Sequence, residues 1–305
     1  MERTQRNEIF EQEYQVIQEI LYKDTKKAES YIRNLLTQSW NENQRIKLKS
    51  LLAYCIWANG RITESKNLYQ DLLTESDRPN CLEEKADALN GLGIILTNEG
   101  LFGTGNDYLN ESIEIYQLLN LPRKEAQATN RLAINCLSRG EVEKSSQLLH
   151  RTISLAQNID PIMTIQARNN LVTIFLKEGQ LQEGMKELKE CVRIAKEINF
   201  SYGLSIMMSN YAEVLQKLGN FNKATKIYEE AIEFTSNIGD YKNLALIFAN
   251  YSEFLVRKGA LIEAEKILQE TAELYQDIED KTGYPLFLHS YAQFWITKGN
   301  YSKAI

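Results

Sequence analysis

The stretch Ala212-Glu-Val-Leu-Gln-Lys-Leu-Gly219-Asn-Phe221-Asn-Lys-Ala224 decides the fold. It reads as a small residue, six residues, a glycine, one residue, an aromatic, two residues and another small residue. Apolar side chains recur with a 3.6-residue period on both sides of the glycine, which predicts two amphipathic helices joined by a tight turn. Glycine suits the end of the first helix, because a left-handed residue there costs least without a Cβ. The small residues flank the turn and let the two backbones approach. A large side chain at either place would overpack the contact.

Outward from this stretch, the glycine recurs at Gly60, Gly100, Gly140, Gly179, Gly219, Gly259 and Gly299, at spacings of 40, 40, 39, 40, 40 and 40. Two residues after it stand Ile62, Phe102, Val142, Leu181, Phe221, Leu261 and Tyr301; five after it stand Ser65, Gly105, Ser145, Gly184, Ala224, Ala264 and Ala304. Seven before it stand Ala53, Gly93, Ala133, Val172, Ala212, Ser252 and Ala292. Such register marks a repeat array, in which length does not count domains. First helices are expected at 45–58, 84–98, 124–138, 163–178, 203–217, 243–257 and 283–297, and second helices at 62–75, 102–119, 142–158, 181–198, 221–237 and 261–278. Residues 8–38 read as an earlier, degenerate pair, with Asp24 or Thr25 as a cap and Ala28 at the small position. The division is therefore 1–44, a degenerate N-terminal pair, and 45–305, an array whose last repeat is incomplete. The fold class is all-α. Turn and cap chemistry joins the pairs at Ser76–Asn80, Asn120–Pro122, Asp160-Pro161 and Gly239-Asp240, with Pro161 at a first helical position.

Composition narrows the function classes. The net charge of −6 disfavours direct binding of nucleic acid. The start Met1–Glu8 leads into no apolar run, and no stretch approaches a membrane span, so a cytoplasmic protein is expected. Cys55, Cys136 and Cys191 sit among apolar helix residues and read as core thiols; Cys81, in a loop, is the one candidate reactive thiol. His150 and His289 have no partners at metal spacing, so no metal or cofactor is expected. Gly100-Leu-Phe-Gly-Thr-Gly105 resembles a phosphate loop only superficially, lacking a preceding strand and a terminal lysine. No nucleophile, base and oxyanion site assembles, and no enzyme is expected.

The string small–x6–Gly–x–hydrophobic–x2–small, seven times in register, resembles the tetratricopeptide repeat over nearly the whole chain from about residue 45. The period is longer than the common 34 residues, and the proline usual at the end of the second helix is missing. The pattern is more similar to the long repeats of kinesin light chains and of peptide-sensing regulators of Gram-positive bacteria. The resemblance implies a right-handed α-solenoid of antiparallel helix pairs, with the first helices lining a concave face.

By that resemblance a series of asparagines faces the groove. Asn170, Asn210 and Asn250 lie nine residues before their glycines; Asn90, Asn130 and Asn169 lie ten before theirs. An amide offers a donor and an acceptor and can clamp a peptide backbone. The competing reading makes these residues solvated, or bonded between neighbouring helices. Glu213 and Glu253 sit in near copies, Asn210-Tyr-Ala-Glu213 and Asn250-Tyr-Ser-Glu253, with Gln293 in a weakened third. They would accept a Lys, Arg or amine from a partner, or stand as solvated charges. Tyr211, Tyr251 and Tyr291 are expected to pack between helices. Tyr54, Ile94 and Ile134 hold the place of Glu213 and Glu253 earlier in the chain, so the groove would be apolar at one end and acidic at the other.

The leading expectation is a non-enzymatic scaffold binding a protein or peptide, without nucleic acid or membrane. The alternative is a ligand- or peptide-sensing segment of a larger bacterial signalling protein with an effector beyond residue 305. Phe287, Leu288, Phe294 and Trp295 are expected to form an exposed apolar end, covered by a further part of the protein or by a second copy in a homo-oligomer.

Overall fold

The computed structural model describes residues 2–21, 24–76, 78–277 and 284–304, and every regular element among them is helical. Helices α1 (Glu2–Leu21) and α2 (Thr25–Leu36) come first. The first helices of the pairs are α3 (Glu42–Ala58), α5 (Leu82–Asn98), α7 (Pro122–Ser138), α9 (Pro161–Lys177), α11 (Ser201–Lys217), α13 (Tyr241–Lys258) and α15 (Tyr284–Thr297). The second helices are α4 (Ile62–Glu75), α6 (Phe102–Leu118), α8 (Val142–Ala156), α10 (Leu181–Glu197), α12 (Phe221–Asn237) and α14 (Leu261–Asp277). The expected helix ends at 278 and 283, and Asp77 of the Ser76–Asn80 turn, lie outside the described residues.

Several first helices begin two or three residues before the apolar period does, because caps start them. Asn41 and Gln44 form a reciprocal capping box at α3, with bonds of 2.9 and 3.1 Å. Asp160 accepts from the Met163 N–H at 3.0 Å, with Pro161 in the first turn of α9. Of the two candidate caps for α2, it is Asp24 that accepts, from the Lys27 N–H at 2.9 Å.

All seven register glycines have positive φ, between 71° and 83°. At Gly219 the turn is closed by two backbone bonds: the Gly219 N–H donates to the Gln216 carbonyl (2.9 Å) and the Asn220 N–H to the Leu215 carbonyl (2.8 Å). These are the two bonds of a Schellman end, which satisfy carbonyls that the helix leaves over. Asn120 and Asn199, both at φ 53°, do the same at the ends of second helices. The paired small positions touch as expected. The Ser65 hydroxyl donates to the Ala53 carbonyl and the Ser145 hydroxyl to the Ala133 carbonyl, each at 2.8 Å. Between α5 and α6 the approach is tightest, since a Cβ on Gly105 would lie 3.0 Å from the Gly93 carbonyl oxygen.

The chain forms two compact units, Met1–Ile159 and Asp160–Ile305. In the first, α1, α2 and α3 bury Phe10, Ile17, Ile32 and Leu48 together. The following pairs bury aliphatic clusters around Leu72, Leu92, Leu109 and Leu132. Each fully buried Leu or Ile contributes about 1.5–3 kcal/mol. The second unit has a more aromatic core. Tyr228, Tyr251 and Phe254 pack with ring centroids 5.1–6.1 Å apart, and Tyr211 and Tyr291 lie partly buried against the same cluster. The three tyrosines thus pack between helices. Within each unit successive first helices touch: α3 with α5 and α5 with α7, then α11 with α13 and α13 with α15. No comparable contact joins successive second helices among the described residues. Each row of first helices is therefore the shorter, inner side of its unit.

Two expectations are corrected. Cys81 is not a reactive thiol in an open loop: it is buried in a short 3-10 turn, its sulfur lies 3.6 Å from the Asn43 Oδ1, and burial raises its pKa. Phe287 and Phe294 are buried rather than exposed, leaving Tyr284, Leu288, Ile296 and Tyr301 as the exposed large apolar residues of that region.

Candidate functional site on the inner face of the first helices

In the second unit the expected groove residues are half-buried and bonded to one another. The Asn210 Nδ2 donates to the Asn169 Oδ1 at 2.6 Å, and the Asn250 Nδ2 to the Ser209 hydroxyl at 3.2 Å. The Ser290 hydroxyl donates to the Ala249 carbonyl at 3.1 Å. One rule covers all three bonds. The residue nine before its glycine donates to the residue ten before the previous glycine, one first helix back. Asn130 and Asn170 also have polar partners. Glu213 pairs with Lys217 (3.6 Å) and Glu253 with Arg257 (2.5 Å), each along its own helix, so local cations offset both charges. Both carboxylates act on the buried Tyr228 hydroxyl, whose pKa is raised first by burial and then by Glu213 and Glu253. Gln293 is exposed on α15.

The first unit carries different chemistry on the same face. The Asp87 carboxylate on α5 accepts from the Tyr116 hydroxyl (2.8 Å) and from the Lys124 ammonium of α7 (2.7 Å), and Lys124 also meets Glu83 at 2.9 Å. Burial opposes the charge on Lys124, but Asp87 and Glu83 outweigh it and raise its pKa. Tyr14 of α1 is half-buried in the field of these groups. Burial raises its hydroxyl to about 12, with Lys124 opposing and Asp87, Glu83 and Glu84 reinforcing. Tyr54, Ile94 and Ile134 are half-buried.

Two polar groups on this face lack a partner among the described residues. The Asn90 Oδ1 is buried without a partner. The half-buried Arg131, nine residues before Gly140, makes no hydrogen bond or ion pair among the described residues. The sequence reading singled out neither Arg131 nor the Asp87–Lys124 pair. Setting the repeats in register would have exposed Arg131, since it stands in the column of Asn170, Asn210 and Asn250.

Among the described residues no cluster of His, Cys, Asp and Glu is arranged to hold a metal ion, and no helix is long and apolar enough to cross a membrane. Gly100 and Gly105 are explained by the turn and the close packing rather than by a phosphate. A hollow of about 620 Å³ lies beside Arg6, Asn7, Trp40 and Gln44, and another of about 550 Å³ beside Arg168, Lys186 and Arg193. What the inner face can do is hold an extended polar segment by amides, with ionised groups at fixed places.

No curated protein matches the chain. Among solved structures, a signal-transduction ATPase with numerous domains and a tetratricopeptide repeat sensor, from Pyrococcus horikoshii, aligns over 95% of this chain and 46% of its own, at 16% identity and a TM-score of 0.73. The apo quorum sensor NprR from B. thuringiensis aligns over 92% of this chain and 84% of its own, at 13% identity and a TM-score of 0.63. A Rap protein solved in complex with competence and sporulation factor aligns over 98% and 99%, at 15% identity and a TM-score of 0.60. At such identities the likeness is one of fold. The family model for the tetratricopeptide repeat matches residues 163–237 and 203–277 of the second unit, and the first unit repeats the same turns and small-residue contacts. Residues 163–277 thus match the tetratricopeptide repeat, and the whole described chain shares the all-helical repeat fold of the solved structures.

Proposed function

We propose that the chain is a non-enzymatic scaffold that holds a peptide or protein segment against the inner face of its first helices, in the cytoplasm. The observation that carries this reading is the pair of adjacent columns of side-chain amides in repeat register, with Asn90, Asn130, Asn169, Asn170, Asn210 and Asn250 as backbone clamps. Cross-helix bonds hold Asn169 and Asn210 in place, and after giving one N–H to Asn169 the Asn210 amide retains another N–H and its carbonyl for a ligand. A rigid stack leaves most of the ordering cost with the ligand. Glu213, Glu253 and Gln293 would meet polar or basic side chains beside it. The Rap protein's complex with competence and sporulation factor supports ligand binding by this fold.

A second reading, a sensor segment of a larger signalling protein, is favoured by the likeness to the repeat sensor of the Pyrococcus horikoshii ATPase. In that case ligand binding would alter the stacking of the pairs.

Affinity capture from source cytosol, followed by overlapping synthetic peptides of each captured protein, tests the scaffold reading. At least one peptide is expected to bind, and the Asn210→Ala/Asn250→Ala variant to bind it about tenfold more weakly. Equal affinity for both chains would place the ligand elsewhere and remove the reading. Spin labels at the exposed Lys226 and Lys266 then separate sensor from static scaffold: a ligand-induced change in their distance favours the sensor.

A further inference from the structure

We infer that the hollow beside α9 and α10 binds a phosphate-bearing small molecule, gripped by Lys186, Lys189, Arg168 and Arg193. The inference goes beyond the scaffold reading and does not rest on it.

The repeat register makes this pair of helices unlike the two pairs that follow it. Ten and fourteen residues after the glycine, α12 carries Glu229 and Glu233 and α14 carries Gln269 and Glu273, whereas α10 carries Lys189 and Arg193. Eleven before the glycine, α11 and α13 carry Met208 and Phe248, whereas α9 carries Arg168. Seven after it, all three second helices carry a lysine. Lys226 pairs with Glu230 at 3.9 Å and Lys266 with Glu270 at 3.7 Å, each four residues on. Lys186 has Glu190 at the same spacing, but Arg193 takes that carboxylate with two bonds, of 2.6 and 2.9 Å. Those bonds hold Glu190 below the usual carboxylate range. Lys186 and Lys189 are thus left without an acidic partner among the described residues.

These side chains line one hollow of about 550 Å³, a size that holds a small ligand. Four cations meet two carboxylates there, and both carboxylates are engaged, Glu187 by the Arg168 Nη1 and Glu190 by Arg193. An excess of two positive charges remains, in a chain whose net charge is −6. A doubly charged phosphate balances that excess, whereas a single carboxylate would leave half of it. Lys186, Lys189 and Arg193 share one face of α10 over about 10 Å, so several phosphate oxygens meet donors together. Lysine grips phosphate as a point charge and arginine with a fork. Glu187 holds Arg168 in place, so this cation is already ordered before a ligand arrives. The buried Met185 gives the hollow an apolar wall for the organic part of a phosphate ester.

The test uses the full chain and isothermal titration calorimetry with sodium phosphate, sodium pyrophosphate and adenosine diphosphate, all at one ionic strength. The native chain is expected to bind pyrophosphate and the nucleotide. Tighter binding of the nucleotide would identify an organic phosphate as the ligand, and equal affinity a bare diphosphate. Lys186→Gln/Lys189→Gln is expected to bind each probe about tenfold more weakly. Both lysines are exposed, so the variant keeps its fold. Arg193→Gln, which frees Glu190 to pair with Lys186, should weaken binding by a similar factor. Lys226→Gln/Lys266→Gln removes the paired lysines of the same register and should bind as the native chain does. No heat from any probe at millimolar concentration, or equal weakening by this control, would overturn the inference and leave the scaffold reading standing.

Discussion

The row of first helices in the second unit and the row in the first are cut from one template, yet their inner faces differ in kind. Along α11, α13 and α15 the neutral groups Asn210, Asn250 and Ser290 reach back to the preceding first helix and close on it. Along α5 and α7 the same face holds ions, with Lys124 between Asp87 and Glu83, while Arg131 and the buried Asn90 carbonyl lack partners among the described residues. The difference separates two jobs that a repeat must do. Glycine turns and small-residue contacts fix the backbone identically in both units. Inner-face side chains are left free to vary.

The most forceful way to break this comparison is to attack the shared template at one position in both units. Gly105 and Gly184 each stand five residues after a register glycine. A Cβ on Gly105 would lie 2.5 Å from the Thr97 Cγ2 and 3.0 Å from the Gly93 carbonyl oxygen, whereas one on Gly184 meets nothing nearer than 3.6 Å. Gly105→Val is expected to destabilise the first unit by about 3 kcal/mol through overpacking of α5 on α6. Gly184→Ala is expected to stabilise the second by about 0.5–1 kcal/mol through helix propensity. Urea unfolding followed by tryptophan fluorescence reads each unit, because Trp40 and Trp57 lie in the first and Trp295 in the second. A similar loss from both substitutions would show that the two pairs are packed alike.

The template was legible in the sequence because its causes are local. A residue with positive φ, a cap and a small side chain at a crossing each act within a few positions, and seven copies reinforce the reading. The inner-face chemistry was only half legible. The asparagines could be placed on the face, but whether an amide there meets a ligand or its neighbour depends on a residue some 40 positions away, as with Asn210 and Asn169. Arg131 escaped notice because it breaks the asparagine series. Asn199 takes the left-handed place that glycine holds at other helix ends, with no glycine in the sequence to mark it. Cys81 looked open because its sequence neighbours are turn formers, while Asn43, from the start of α3, covers it. The apolar residues two after each glycine look like core in one dimension, yet Phe221 is 47% exposed, because it opens the second helix at the rim of the pair.

A smaller effect tests whether ions or amides hold the two faces. Lys124→Gln leaves Asp87 and Glu83 without their cation, and its expected cost is about 2 kcal/mol, moderated by the partial exposure of the lysine. Asn210→Ala removes one amide bond and should cost about 1 kcal/mol. The urea midpoint of each unit gives the comparison, and equal losses would mean that the ionic cluster is no stronger a staple than the amides.

Acid should separate the units further. Burial disfavours the charge on Glu29 of α2, but hydrogen bonds from Arg61, Arg33 and Asn59 outweigh it and hold its pKa down to about 2 from the usual 4.5. A depressed acid stabilises the fold fully above its unfolded value and loses that contribution as pH falls toward its folded value. The first unit should therefore lose about 1–2 kcal/mol between pH 4.5 and 2 through this group, and Glu29→Gln should flatten that slope. A Trp295→Phe background leaves only Trp40 and Trp57 as reporters of the transition. An unchanged slope in the Glu29→Gln protein would assign the acid sensitivity to other carboxylates.

The smallest expected effect has the opposite sign and sharpens the contrast most. At Arg131 the protein bears the desolvation of a cation unpaired among the described residues, and replacing it should relieve the fold. Arg131→Gln is expected to raise the stability of the first unit by about 0.5–1 kcal/mol, roughly 1–4 °C in Tm. Asn210→Ala, at the same register place in the second unit, should lower it. One column of the repeat would then hold a residue that stabilises the array and a residue that destabilises it. A fall in Tm for Arg131→Gln matching that of Asn210→Ala would instead make the arginine one more staple, with its aliphatic stem packed for stability and its charge of no consequence to the fold.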